Sequence, residues 1–227
     1  MKKFLLFPLS APLITLGAMC LFKVIELVFY KANPFAFYEV GGIVDYTTYS
    51  LYGLALVAAI AYWRDYRGTP QQGTFLGLMF LWLSALLREM GAQHWLTSHD
   101  STAIKIHFFT NPDNPLSEKI LSAVIIVAVL GVALWLFFKY VRRIIIGFFR
   151  GQSLYWTIVT FGGVLIASKF FDRFPSRYAK LTGIHLGPDA MVWITLFEEG
   201  LEACLPLLFA LALYQYHNRR LTEPNKN

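Results

Sequence analysis

The stretch DAMVWITLFEEGLEACLPLLFALALYQY, residues 189–216, is apolar over a membrane-spanning length and yet carries three glutamates near its middle. A hydrocarbon core about 30 Å thick is crossed by roughly 20 apolar residues in a helix. A carboxylate in that environment is costly, so Glu198, Glu199 and Glu202 require partners, protons or a cation. We therefore interpret this stretch as a membrane helix that carries a functional site.

Composition extends the membrane interpretation to the whole chain. The chain has 227 residues, of which 56% are hydrophobic, 17% aromatic and only 15% charged, and its mean hydropathy is +0.50. Soluble domains usually carry about 25% charged residues and less aromatic surface. We therefore predict an all-α protein, an integral membrane helical bundle.

Six hydrophobic runs predict about six transmembrane helices in a single transmembrane domain over residues 1–227. The predicted spans are approximately residues 4–28, 42–63, 74–96, 120–140, 154–171 and 189–216. The third and sixth spans contain charged residues and are marginal by hydropathy alone. The fourth carries no charged residue from Ile120 to Phe138, so polarity is not a general property of the spans.

Lysine and arginine in the connections predict the orientation, because positive residues are retained on the cytoplasmic side. Eleven basic residues lie on one side: Lys2, Lys3, Arg64, Arg67, Lys139, Arg142, Arg143, Arg150, Arg219, Arg220 and Lys226. Six lie on the other: Lys31, Lys105, Lys119, Arg173, Arg177 and Lys180. We therefore predict cytoplasmic N and C termini and a multi-pass protein of the cell inner (plasma) membrane. The net charge of +6 then follows from topology, and no nucleic-acid partner is predicted.

Ionisable residues at membrane level concentrate toward the predicted outer leaflet. At a rise of about 1.5 Å per residue, Glu198 lies about 14 Å and Glu202 about 20 Å from the outer end of the sixth span. Arg88 and Glu89 lie roughly 11 Å below the outer end of the third span. This distribution predicts a polar site between the third, fifth and sixth spans that opens toward the outer leaflet.

Helical phase gathers the acids on one face and leaves an excess of negative charge. Each residue turns a helix by about 100 degrees, so Glu198, Glu199 and Glu202 share an arc of about 100 degrees. The acids near the site are Glu26, Asp45, Glu89, Asp172, Glu198, Glu199 and Glu202. The bases are Lys23, Arg88, Lys169 and Arg173. Full ionisation of such a group in a low-dielectric cavity would be prohibitive, which predicts shared protons, a bound cation or a substrate.

The leading functional hypothesis is an enzyme that binds or modifies a lipid or a small polar headgroup. Buried carboxylates are suitable proton donors and acceptors, and cationic side chains can hold a phosphate or carboxylate headgroup. The catalytic candidates are Glu198, Glu199, Glu202 and Glu89. The substrate-binding candidates are Arg88, Lys169, Arg173 and His94. His99 and Asp100, near the predicted outer end, are further candidates.

A divalent metal is the candidate cofactor, because clustered carboxylates suit hard or borderline cations. Its predicted ligands are Glu198, Glu202 and Glu89. Histidine support is weak, since His94 lies five residues from Glu89 and about 140 degrees around the helix. This spacing differs from the Glu-x-x-His pair of di-iron bundles, and the sequence contains no HExxH motif.

Two alternative functions remain open at this point. Intramembrane carboxylates also serve as proton relays, so a cation- or proton-coupled carrier is the first alternative. A non-catalytic subunit of a membrane complex is the second. The predicted partners are membrane lipids, together with protein subunits or a second copy of the chain in a homo-oligomer.

Overall fold

Every regular element in the described part of the chain is an α-helix. A computed structural model describes residues 2–38, 42–95, 97 and 105–222. The helices are α1 (Lys2–Leu5), α2 (Ser10–Phe29), α3 (Phe35–Tyr38), α4 (Ile43–Asp65), α5 (Gln72–Glu89), α6 (Ala92–Trp95), α7 (Ile106–Thr110), α8 (Leu116–Phe149), α9 (Ser153–Thr182) and α10 (Pro188–Thr222). The predicted all-α class is confirmed for these residues.

Four segments of the described chain are long and apolar enough to cross a membrane. They are Ser10–Phe29, Phe35–Asp65, Leu116–Phe149 and Ser153–Thr182. These correspond to the first, second, fourth and fifth predicted spans. The third and sixth predicted spans fall in α5 and α10, the two helices whose charged residues make them marginal by composition. Helices of this kind are typical of a membrane protein, whereas the six-span count, the orientation and the identity of the membrane stay predictions.

Several helices end at glycines rather than at the predicted membrane boundaries. α8 has 34 residues and is about 51 Å long, so it extends well beyond the predicted span 120–140. It ends just before Gly151, whose φ of 67° lies in the left-handed region that glycine adopts without strain. α5 likewise stops at Glu89, two residues before Gly91 with a φ of 79°. The short helix α6 then occupies part of the predicted third span.

The described residues form two compact units. We call residues 2–38, 42–58 and 143–222 the α10 unit, and residues 59–95, 97 and 105–142 the α5 unit. The chain passes from one unit to the other within α4 and within α8. The prediction of a single transmembrane domain stays a prediction.

In the α10 unit, the helix that carries the most carboxylates is also the one with the most buried side chains. α10 packs against α9, α2 and α3, and its side chains from Val192 to Gln215 are largely buried. α2 and α9 instead expose apolar residues such as Leu16, Val24 and Ile166. This arrangement is the one expected for helices in a bilayer, because apolar side chains are stable against lipid while carboxylates need the protein interior.

The α5 unit is joined by a close contact and a polar cluster between α5 and α8. A Cβ atom added at Gly77 would lie 3.0 Å from the ring of Trp135, so the two helices approach closely at this glycine. Thr74 and Tyr140 share a hydrogen bond of 2.8 Å between their hydroxyls. Lys139 donates to the Thr74 hydroxyl at 2.9 Å and lies 4.8 Å from the centre of the Trp135 ring.

Candidate functional site

Glu202 of α10 forms an ion pair with Lys169 of α9. The Lys169 ammonium contacts Oε1 of Glu202, and Glu202 is only 8% exposed. The Lys169 side chain is 32% exposed, so the pair lies at the edge of the α9–α10 interface rather than deep within it. The structure therefore brings together one predicted catalytic residue and one predicted substrate-binding residue.

More carboxylates than ammonium groups surround this pair. Glu198 is half-buried one turn before Glu202 on α10, and it lies within electrostatic range of Asp172, Glu202 and Lys169. Asp172 is exposed on α9, one turn after Lys169. Glu199 is half-buried in the same turn of α10 as Glu198. We define Lys169, Asp172, Glu198 and Glu202 as the acidic site.

Pro206 alters the backbone of the turn that contains Glu202. α10 continues through Pro206, which is almost fully buried. Proline has no N–H, so it cannot donate to the carbonyl of Glu202 four residues earlier. This turn of α10 therefore lacks one backbone hydrogen bond at the acidic site.

Aromatic rings border the acidic site on both of its helices. Phe197 of α10 stacks on Phe171 of α9 with ring centroids 4.9 Å apart, and it lies 6.4 Å from Trp193. Trp193, Phe197 and Phe170 are exposed at the surface of the α10 unit. The site thus combines charged groups with an adjacent apolar surface, which is the combination that an amphiphilic ligand needs.

A second buried carboxylate, Glu26 of α2, is held by two donors. Lys23 donates to Oε1 of Glu26 at 2.7 Å and the Tyr38 hydroxyl donates to Oε2 at 2.8 Å. Glu26 is only 2% exposed, although it lies in the last turn of α2. The Lys23 ammonium also lies 4.3 Å from the centre of the Trp193 ring. Sequence reasoning missed Tyr38, because nothing in the local spacing connects α3 with Glu26.

A buried polar cluster that sequence reasoning also missed lies near the other end of α10. Gln215 is 1% exposed, and its Oε1 accepts from the Thr157 hydroxyl of α9 at 2.8 Å. Its Nε2 donates to the backbone oxygen of Leu5 at 2.8 Å and to the Ser10 hydroxyl at 3.4 Å. One glutamine therefore joins α10 to α9 and to the start of α2. The only sign of this cluster in the sequence was one amide side chain, that of Gln215, in an apolar run.

The remaining predicted site residues lie elsewhere. Arg173 is exposed on α9, next to Asp172. Arg88, Glu89 and His94 belong to the α5 unit, where Nη2 of Arg88 lies 3.9 Å from Oε1 of Glu89 and His94 is exposed in α6. The predicted participation of these three residues in one site with the α10 glutamates stays a prediction. His99 and Asp100 lie outside the described residues.

The predicted metal ligands gain no support from the geometry. Within residues 2–38, 42–95, 97 and 105–222, no group of three or more histidine, cysteine, aspartate or glutamate side chains is placed to hold a metal ion. Glu198 and Glu202 lie in the α10 unit, whereas Glu89 lies in the α5 unit. The ammonium of Lys169 contacts Glu202 directly.

Comparison of the chain with protein-family models, with curated proteins and with solved structures finds no match. The functional argument therefore depends on the geometry and chemistry of the residues described above.

Proposed function

We propose that this integral membrane protein binds or modifies a lipid or a small polar headgroup at the acidic site by acid–base chemistry. Glu202 and Glu198 would exchange protons with the headgroup, and Lys169 would stabilise the ionised form of Glu202. The observation that carries the proposal is the Lys169–Glu202 pair with Glu198 and Asp172 in electrostatic range. One ammonium faces three carboxylates there, so the site can gain or lose protons without losing its ion pair.

The surroundings of the acidic site favour an amphiphilic ligand. Exposed rings of Trp193, Phe197 and Phe170 adjoin the charged groups and supply a surface for hydrocarbon. Aromatic side chains are enriched at the membrane interface, where one part of a ligand is apolar and the other polar. A lipid whose headgroup reaches Glu198 would therefore place its chains against protein rings or bilayer.

The proposal is tested by incubating the purified full-length chain, in nanodiscs of a total membrane lipid extract, and following lipid composition by mass spectrometry. We expect time-dependent conversion of a lipid species or its stoichiometric retention by the protein. Glu202→Gln and Glu198→Gln should reduce turnover about 100-fold or more, the usual contribution of an acid–base group. If the protein retains a lipid without converting it, the same variants should weaken the retention of that lipid.

Asp113→Asn is the matched control, because Asp113 is an exposed carboxylate in the connection before α8. It should behave as the unmodified chain does. A double variant, Glu202→Leu with Lys169→Met, removes both charges together and so avoids leaving one charge unpaired in the interior. Full activity in a folded double variant would contradict the proposal, as would the absence of any converted or retained lipid.

The carrier alternative has less support along α10. Glu202 and Gln215 are separated by 13 residues, or about 20 Å of helix. The buried side chains between them are Ala203, Cys204, Leu205, Pro206, Leu208, Phe209, Leu211 and Leu213. A proton or cation moving along α10 would meet no carboxylate in this interval, so we favour chemistry confined to the acidic site. The same variants also test a subunit role. In that case, removal of the carboxylates would impair assembly of a membrane complex rather than turnover of a lipid.

A further inference from the structure

A cavity in the α10 unit lies about 20 Å along α10 from Glu202. It has a volume of about 340 Å³, which is within the range of small-molecule sites. Its walls are Leu6, residues 151–154 at the junction between the α8–α9 connection and α9, and the α10 residues Gln215, Asn218 and Arg219. All of these residues belong to the α10 unit, and the acidic site uses none of them.

The described lining of this cavity carries a positive charge, in contrast to the acidic site. Among the described residues of its lining, Arg219 is the one that carries a charge, and the other polar side chains are amides and a hydroxyl. The exposed Arg150 immediately precedes Gly151 of the lining. Among the described residues, the walls of the cavity hold a guanidinium and no carboxylate, which makes them complementary to an anion.

Arg219 is held in place by two neighbours from the start of α9. Its Nη1 donates to Oε1 of Gln152 at 2.8 Å, and its guanidinium lies 5.6 Å from the centre of the Tyr155 ring. Gln152 is the N-cap residue of α9, yet its side chain makes no capping hydrogen bond. The positive end of the α9 dipole therefore adds to the charge of Arg219 at the same cavity.

The floor of the cavity is fixed by the Gln215 cluster. Gln215 lines the cavity while its amide bonds to Thr157, Ser10 and the Leu5 carbonyl. A site whose walls are held by hydrogen bonds before a ligand arrives loses less conformational freedom on binding. Arginine suits phosphate in particular, because its planar donors match two phosphate oxygens.

We propose that this cavity binds a phosphate group, either the headgroup phosphate of an anionic lipid or free inorganic phosphate. The lysine and arginine distribution predicts that this end of the α10 unit is cytoplasmic, where anionic headgroups are abundant. The proposal is independent of acid–base chemistry at the acidic site and requires no reaction.

The test uses the full-length chain in micelles of a neutral detergent free of phospholipid. Phosphatidylglycerol retention is measured by native mass spectrometry, and inorganic phosphate binding by titration calorimetry. We expect binding by the unmodified chain and at least about tenfold weaker binding by Arg219→Gln, because a charge-assisted contact is lost. Arg177→Gln, which removes an exposed arginine of α9, is the control and should bind normally.

The two ligands distinguish the source of the phosphate. Binding of inorganic phosphate, with competition against the lipid, assigns the site to free phosphate, whereas retention of phosphatidylglycerol alone assigns it to a lipid headgroup. Binding of neither, or equal binding by Arg219→Gln, overturns the proposal. If Arg219→Gln fails to fold, Ser153→Leu fills the cavity while keeping Arg219, and normal binding by that variant also overturns it.

Discussion

Two buried carboxylates of the α10 unit find their cations in different ways. Glu26 pairs with Lys23 three residues earlier on the same helix, a spacing that brings side chains together in any α-helix. Glu202 pairs with Lys169, which is 33 residues away on another helix. The first contact follows from helix geometry alone. The second depends on how α9 packs against α10.

Tyr38→Phe tests how much the hydroxyl contributes to holding Glu26. The substitution keeps the ring but removes the donor to Oε2 of a carboxylate that is 2% exposed. We expect the protein to lose about 1–3 kcal/mol of stability, because one carboxylate oxygen stays buried without that hydrogen bond. The measurement is thermal unfolding in detergent.

Tyr46→Phe is the matched control, since Tyr46 is an exposed tyrosine of α4. Its unfolding temperature should equal that of the unmodified chain. Equal unfolding temperatures for Tyr38→Phe and Tyr46→Phe would show that Lys23 alone is sufficient to hold Glu26.

At the level of helices, small residues determine how closely neighbours can approach. Helix association in lipid depends on packing rather than on the hydrophobic effect, so glycines at contacts are important. In the α10 unit, Gly147 of α8 faces the ring of Tyr155 of α9 across the connection at Gly151. Gly200 of α10 likewise faces the side chain of Met19 of α2, which is flexible, whereas the Tyr155 ring is rigid.

Gly147→Ala should destabilise the contact between α8 and α9. The added methyl group would overlap the Tyr155 ring, and overpacking of this kind costs about 1–3 kcal/mol. Thermal unfolding in detergent is again the measurement. Gly131→Ala is the control in the same helix, because its added Cβ has no described neighbour within 4 Å beyond the adjacent residues and the backbone of its own helix. That control should be neutral or slightly stabilising, since alanine favours helix.

A compensating change separates steric overlap from other effects. Gly147→Ala combined with Tyr155→Leu should recover part of the loss, because the shorter side chain leaves room for the methyl group. Destabilisation by Gly131→Ala equal to that by Gly147→Ala would contradict a role for the Tyr155 contact.

At the level of the whole molecule, the basic residues in the connections predict which side of the membrane each one occupies. The connection before α8 and the one between α9 and α10 are predicted to be outside, and the connection between α4 and α5 inside. Asp113, Lys180 and Pro70 are exposed positions in or beside these three connections. They can report the topology if each is replaced by cysteine in turn.

Labelling with a membrane-impermeant maleimide in cells with an accessible inner membrane tests this orientation. In a background with Cys20→Ala and Cys204→Ala, we expect Asp113→Cys and Lys180→Cys to react directly. Pro70→Cys should react only after the membrane is permeabilised. Reaction of Pro70→Cys and Asp113→Cys from the same side would refute the prediction that α5 crosses the membrane. An inaccessible Lys180→Cys would refute the prediction that the C-terminal end of α9 lies outside.

Composition and hydrophobic run length were sufficient to predict the all-helical class and the positions of the four most apolar candidate spans, because the apolar run of each helix is a local property of the sequence. Helical phase likewise placed Glu198, Glu199 and Glu202 on one face of α10, since phase is a local property. Three contacts depended on the tertiary structure: Glu202 with Lys169, Glu26 with Tyr38, and Gln215 with Thr157. Each of those contacts joins two different helices, and helix packing, which no local pattern encodes, determines them.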